Sequence, residues 1–139
     1  MRLFLDSSVL LAASGSATGA SREILRRASA NDWTLLSTPY AIEEVVRNLP
    51  DLPPSATADW ARLRPALLLM DDVLTLDRPA VFEGGKDRPI LFSALAWADV
   101  LLTLDRSDFG GLMGRTFYGL LVLKPGTFLE RERAAGRLR

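Results

Sequence analysis

Short apolar runs alternate with helical stretches along this chain, and that alternation restricts the fold more than any other feature. The runs are RLFLD (residues 2–6), WTLLS (33–37), VLTL (73–76), VLLTLD (100–105) and GLLVL (119–123). Each is too short for a buried helix and apolar enough for a strand covered on both faces. Strands separated by helices at these spacings predict an α/β fold of three layers, α/β/α, around a central, mostly parallel sheet. With 139 residues, the chain reads as a single domain over 1–139, large enough to bury one core.

The helices are marked by their ends and their apolar stripes. A helix opens near residues 9–13 after a tight turn. SGSATGAS (14–21) reads as a loop of small residues, with Ser21 as N-cap of a helix over 22–30 whose inner face holds Ile24, Leu25 and Ala28. In TPYAIEEVVRNL, Thr38 suits the cap and Pro39 the first helical position, and Ile42, Val45, Val46 and Leu49 form the stripe. Ser55 caps a further helix carrying Ala58, Trp60, Ala61 and Leu63, which Pro65 bends or stops. Asp87 caps another, with Pro89 just inside and Ile90, Leu91, Ala94, Leu95 and Ala98 facing inward. A short helix with a polar tail, KPGTFLERERAAGRLR, closes the chain. Trp33, Trp60 and Trp97 sit among apolar neighbours and read as core or interface.

The chain contains neither cysteine nor histidine. Disulfides, thiolate chemistry, zinc fingers, imidazole bases and Ser-His-Asp triads are therefore excluded, which leaves carboxylates, hydroxyls, Lys, Arg and bound ions as sources of chemistry. A hydrophobic fraction of 48% with 24% charged residues is that of an ordinary globular domain. No apolar run approaches the ~20 residues of a membrane span. Asp6 interrupts the apolar opening, so no signal peptide and a cytoplasmic location are expected. Formal net charge is zero, so no global field draws the chain to nucleic acid. Lys86 and Lys124 are its only lysines; the abundant arginine suits phosphate contact, although the codon usage of a GC-rich genome is the simpler reading. Arg26, Arg27, Arg88, Arg106 and Arg115 are the candidate phosphate contacts.

RLFLD and LLTLD share a pattern: a buried strand delivering an aspartate at its carboxyl end. In open parallel sheets, ligands bind beyond the carboxyl ends of strands where the strand order reverses. If these two strands are neighbours there, Asp6 and Asp105 face one crevice, with Asp87 and a carboxylate of the Glu43-Glu44 helix opening onto the same side. Converging carboxylates repel unless some of their pKa values rise or a cation binds, and with no His or Cys the fitting cation is a hard one, Mg²⁺ or Mn²⁺. Each acid also has a purely structural reading. Asp6 suits the N-cap of a helix starting near Ser8, Asp87 is a good helix start, Asp105 and Asp108 suit a turn, and Glu43 and Glu44 suit a solvated helix face. Asp99 reads as a strand cap or the partner of an Arg, and Asp51, Asp59, Asp71, Asp72 and Asp77 as solvated.

Four segments, FLDSSVLL, STPYAIEEVVRNL, GGKDRPILFSALAWADVLLTLDRSDF and LVLKPGTFL, together resemble the PIN domain family of metal-dependent ribonucleases, which includes the VapC-type toxins of toxin–antitoxin pairs. The resemblance spans residues 3–129, with only a general fit over 50–83. It implies catalytic acids at Asp6, Glu44, Asp87 and Asp105, with Asp6, Asp87 and Asp105 as metal ligands and Asp108 at the rim. It also implies supporting roles for Ser8, which orients the first aspartate, and for Thr103. Glu44 is preferred to Glu43 because the apolar-Arg-Leu pattern of VVRNL follows it directly. The implied activity is Mg²⁺- or Mn²⁺-dependent hydrolysis of RNA. The implied partners are a small antitoxin and a second copy of the chain, with the helices over 38–49 and 55–68 as homodimer contacts. A haloacid-dehalogenase-like phosphatase would need Asp where Ser8 stands, a response-regulator receiver would need an acidic pair, and EGGKD lacks the P-loop spacing. The remaining alternative is a non-catalytic domain of the same kind that binds RNA or protein.

Overall fold

The computed structural model describes residues 1–75 and 88–139. In chain order the elements are β1 (Arg2–Leu5), α1 (Ser7–Gly15), α2 (Ala20–Arg27), β2 (Thr34–Ser37), α3 (Pro39–Asn48), α4 (Ser55–Leu63), β3 (Leu68–Leu69), α5 (Arg88–Trp97), β4 (Val100–Leu102), α6 (Arg106–Phe109), β5 (Thr116–Phe117), β6 (Leu120–Leu123) and α7 (Pro125–Ala134). The strands form a single sheet in the order β3-β2-β1-β4-β6-β5. Every neighbouring pair is parallel except β5 with β6. The order turns back at β1: the chain builds outward through β2 and β3, then returns to place β4 on the other side of β1. The crevice expected at such a reversal therefore lies between the carboxyl ends of β1 and β4.

Alternation along the strands divides the core into two layers. Leu3, Leu5, Leu35, Val100, Leu102 and Leu123 pack with Val9, Ile24, Val45, Trp60 and Phe128 under α1, α2, α3, α4 and α7. Phe4, Leu36, Leu101, Leu120 and Val122 pack on the opposite face with Ile90, Leu91, Ala94 and Phe109 of α5 and α6. A strand with large apolar side chains on both faces cannot leave either face wet, since each fully buried Leu or Phe contributes roughly 1.5–3 kcal/mol. Helix α3 joins the layers, Ala41 packing on the α5 side and Val45 on the α1 side.

The three-layer fold is as the alternation predicts, but several boundaries differ. Helix α1 begins at Ser7, directly after the strand, and runs to Gly15, so the small-residue loop is shorter than expected. Gly19, not Ser21, is the N-cap of α2, which ends at Arg27, and Ser21 is buried within the helix. On α3, Val46 is 56% exposed and Ala41 takes its place in the core. The third strand is Leu68–Leu69; residues 73–75 form none, and Leu76 lies outside the described residues. The 3₁₀ turn Arg64–Ala66, set by Pro65, releases the chain into extended backbone beside β2, while Val73 donates its amide to Ser93 Oγ at 2.8 Å. Strand β4 ends at Leu102, short of Asp105.

Strand β5 has no counterpart in the sequence reading. It pairs with β6 through a two-residue hairpin in which Tyr118 and Gly119 have φ of 48° and 88°. This is the left-handed pair of a tight hairpin turn, where glycine is free of the penalty that a Cβ brings. A Cβ on Gly119 meets nothing within 4 Å, so only the backbone opposes it. Gly119→Ala should therefore cost about 1 kcal/mol, read as a lower urea midpoint with an unchanged slope.

Candidate functional site

Asp6 is the first residue past β1, held extended at φ −65° and ψ 158°. Its amide still donates to the Leu102 carbonyl (3.1 Å), and its own carbonyl accepts from Val9 and Leu10 in α1. The residue is thus both a strand end and a helix N-cap. Its side chain is only 4% exposed. Oδ1 accepts from the Ser7 amide at 2.7 Å and from Ser7 Oγ at 3.4 Å, and Oδ2 accepts from Thr103 Oγ1 at 2.7 Å and Ser8 Oγ at 3.1 Å. Among the described residues no arginine or lysine pairs with it. Burial pushes its carboxyl above the ordinary range. The hydrogen bonds from Thr103, the Ser7 amide and Ser8 oppose that rise, and the charge of Asp105 adds to it.

The hydroxyls around Asp6 also join it to its neighbours. Ser8 Oγ accepts from the Leu104 amide at 3.0 Å while donating to Asp6 Oδ2, and so ties α1 to the chain beyond β4. Thr103 Oγ1 accepts from the Asp105 amide at 3.1 Å while donating to Asp6. Ser7 Oγ stands 3.4 Å from Asp6 Oδ1 and 3.2 Å from Glu44 Oε2. It has a single proton for two carboxylates.

Glu44 is partly buried and reaches Ser7, whereas Glu43 is 76% exposed and pairs with Arg47 at 3.8 Å on the outer face of α3. Asp105 caps α6, accepting from the Asp108 amide at 3.1 Å and Ser107 Oγ at 2.9 Å. Its partial burial favours the neutral form, but those bonds outweigh it and hold the carboxyl below the ordinary range. Asp108 stands on α6 as a half-buried neighbour that supplies the amide. Asp87 lies outside the described residues. Among the described residues, no group of three acids is arranged to hold a metal ion. Asp6, Glu44 and Asp105 are therefore linked through hydroxyls and charge without forming a closed cage by themselves.

Sequence reasoning misses two hydroxyls. Ser7 adjoins the expected Ser8, and its role arises only because α3 packs on α1. Thr38 suits a cap, yet its side chain makes no capping bond. Asp72 instead accepts from the Tyr40 amide at 3.1 Å, capping α3 from a distant segment, so it is not the solvated aspartate expected. Asp59 is likewise engaged, with Arg22 at 3.0 Å. Asp99 accepts from the Arg2 amide at 2.7 Å, as a strand cap does.

The candidate phosphate contacts separate. Arg106 adjoins Asp105 at the start of α6, whereas Arg26 and Arg27 both pair with Glu23 on α2. Arg27 also donates to the Arg139 carbonyl, which places it at the opposite end of the strands from the acids. A cavity of about 410 Å³ at that far end is lined by Trp33, Asn31, Glu132 and Arg137 and contains none of the candidate acids.

The donor set around Asp6 consists entirely of oxygen: its own carboxylate, those of Glu44 and Asp105, and the hydroxyls of Ser7, Ser8 and Thr103. That composition fits a hard divalent cation and no softer one. Comparison with protein-family models and with curated proteins found no match to this chain. Among the described residues no helix is long and apolar enough to cross a membrane.

Proposed function

We propose that the chain is a divalent-cation-dependent endoribonuclease of the PIN type, with its centre at the carboxyl ends of β1 and β4. The observation that carries this reading is Asp6: a buried carboxylate at the reversal point of a parallel sheet, held by Ser7, Ser8 and Thr103, with Glu44 and Asp105 as its acidic neighbours. The resemblance of the four sequence segments supports the same reading.

Asp6, Asp87 and Asp105 would hold Mg²⁺ or Mn²⁺. A bound ion supplies an attacking water of lowered pKa and offsets the charge that grows on the phosphoryl oxygens. The chain's own residues supply position and proton transfer. Ser7, Ser8 and Thr103 fix the Asp6 carboxylate so that no reorganisation is needed on binding. Glu44 shares the Ser7 hydroxyl with Asp6 and so adds negative charge at a set place. Asp105 remains ionised near neutral pH and is a candidate, with Asp87, to take the proton of the attacking water.

The test is direct. Purified protein should cleave single-stranded RNA when Mn²⁺ is present and stop when EDTA removes it; cleavage indifferent to EDTA, or none with Mn²⁺, sinks the reading. We further propose that the protein is a toxin restrained by a small antitoxin and that it forms a homodimer through the surface of α3 and α4, where Val46 is exposed. Induced expression should then arrest bacterial growth, and equal arrest by an Asp6→Asn form would point to binding without catalysis.

A further inference from the structure

Asp6, Glu44 and Asp105 crowd negative charge at the carboxyl ends of β1 and β4. An RNA backbone brought there meets like charge, so its attraction has to come from cations beside the acids. Several of the chain's cations are already taken: Arg22 by Asp59, Arg26 and Arg27 by Glu23, Arg47 by Glu43 and Arg137 by Glu132. Lys124 is not. Among the described residues its ammonium makes no ion pair and no hydrogen bond.

Strand register places this lysine in line with the acids. Leu5 pairs with Leu102, and Leu102 with Leu123. Both ladders run one residue further: the Asp6 amide donates to the Leu102 carbonyl at 3.1 Å, and the Thr103 amide to the Leu123 carbonyl at 3.0 Å. Asp6, Thr103 and Lys124 therefore form one row across the ends of β1, β4 and β6. Two strand spacings, about 10 Å, separate Lys124 from Asp6 along it. Phe4, Leu101 and Val122, each two residues earlier, all pack in the layer beneath α5 and α6. Lys124 keeps extended backbone, with φ −76° and ψ 152°, so alternation turns it to the face where Thr103 donates to Asp6. It is half-buried there. Arg115, exposed and likewise without an ion-pair partner among the described residues, stands beside it, its carbonyl accepting from the Val122 amide at 3.1 Å.

We propose that Lys124 binds a backbone phosphate of single-stranded RNA, the strand crossing the carboxyl edge of the sheet from β1 toward β6 with Arg115 further along its path. The inference rests on the ribonuclease reading above and adds to it the side of the acids on which the substrate lies. It requires no metal, because the ammonium acts on the backbone charge directly. Arg26 and Arg27, paired with Glu23 and remote from the acids, fall outside this path.

The experiment is fluorescence anisotropy of labelled oligo-U and oligo-A RNA with the full chain in EDTA, over a series of salt concentrations, so that neither metal nor cleavage enters. The proteins are the parent, Lys124→Gln, Lys124→Arg and Arg133→Gln, the last removing an exposed charge near the far end of α7. Lys124→Gln should weaken binding of both RNAs about fivefold and make the slope of log affinity against log salt shallower by about one, while Lys124→Arg keeps both. The loss should be equal for the two RNAs because a phosphate contact carries no sequence information. Parental affinity in Lys124→Gln, an equal loss in Lys124→Arg or Arg133→Gln, or a loss confined to one RNA overturns the assignment of Lys124 alone. Failure of the parent protein to bind either RNA overturns it together with the proposed function.

Discussion

Asp6→Asn should abolish Mn²⁺-stimulated RNA cleavage, by about a thousandfold or more, and at the same time raise the thermal midpoint of the metal-free protein. Both effects follow from the same carboxylate. The substitution keeps the shape of the side chain but removes the charge that a cation would need. It also removes a charge that the fold holds at a cost, since burial pushes the Asp6 carboxyl upward, its hydrogen bonds only partly offset that push, and Asp105 adds to it. A carboxyl whose pKa is higher folded than unfolded favours the folded state fully at pH below its unfolded value. That contribution is lost as pH rises through the folded value. The parent protein should therefore lose stability relative to the Asn variant as pH rises above about 4, and should melt below it at neutral pH. Mn²⁺ should close or reverse the difference, because only the parent has a cation to gain. Urea midpoints of both proteins across that range, with Mn²⁺ and with EDTA, measure each part. An Asn variant that cleaves like the parent removes Asp6 from the chemistry. One that melts lower at neutral pH without metal shows that the carboxylate stabilises the fold.

The largest effect on stability is expected at the far side of the sheet. Phe128 is 2% exposed and meets Trp33 edge-to-face, with ring centroids 5.0 Å apart at 66°. This contact fastens α7 over the loop between α2 and β2, in the layer that also holds Leu3, Leu35 and Leu123. Phe128→Ala should cost about 3–5 kcal/mol through lost burial and the cavity left behind, a large part of the ~5–15 kcal/mol that holds a domain together. Chemical denaturation should show the loss as a lower midpoint with an unchanged slope. Since the acids lie at the opposite ends of the strands, the folded fraction should bind Mn²⁺ as the parent does. A loss of less than about 1 kcal/mol would mean that the layer collapses around the gap.

What the sequence discloses about this molecule depends on how local each signal is. A strand running into aspartate is a local signal: Asp6 follows β1 directly, while β4 stops at Leu102 and Asp105 caps α6, and β1 and β4 do lie side by side. The family resemblance prefers Glu44 to Glu43; in the structure Glu44 meets Ser7, and Glu43 pairs with Arg47 in solvent. The misplaced third strand shows the limit. Val73, Leu74 and Thr75 carry a strand-like composition, but backbone released from the Pro65 turn reaches the sheet edge first, and a two-residue strand has no periodicity to detect. Strand β5 was hidden because its turn carries Tyr118 where the usual hairpin signal has Asn or Asp. Ser7 and Thr38 depend on tertiary events: α3 settling on α1, and Asp72 taking over the cap of α3. Neither event leaves a mark near the residue it affects.

The sheet's margins carry a consequence for the behaviour of the protein in concentrated solution. Among the described residues its outermost strands, Leu68–Leu69 and Thr116–Phe117, are each two residues long. An incoming extended peptide would find only a brief run of open amides and carbonyls at either border. Ladder growth from one molecule to the next, the route to fibrils for many sheet proteins, is thereby starved at its first step. Lengthening either border strand by a few apolar residues should make the protein prone to fibrillation without touching its acids.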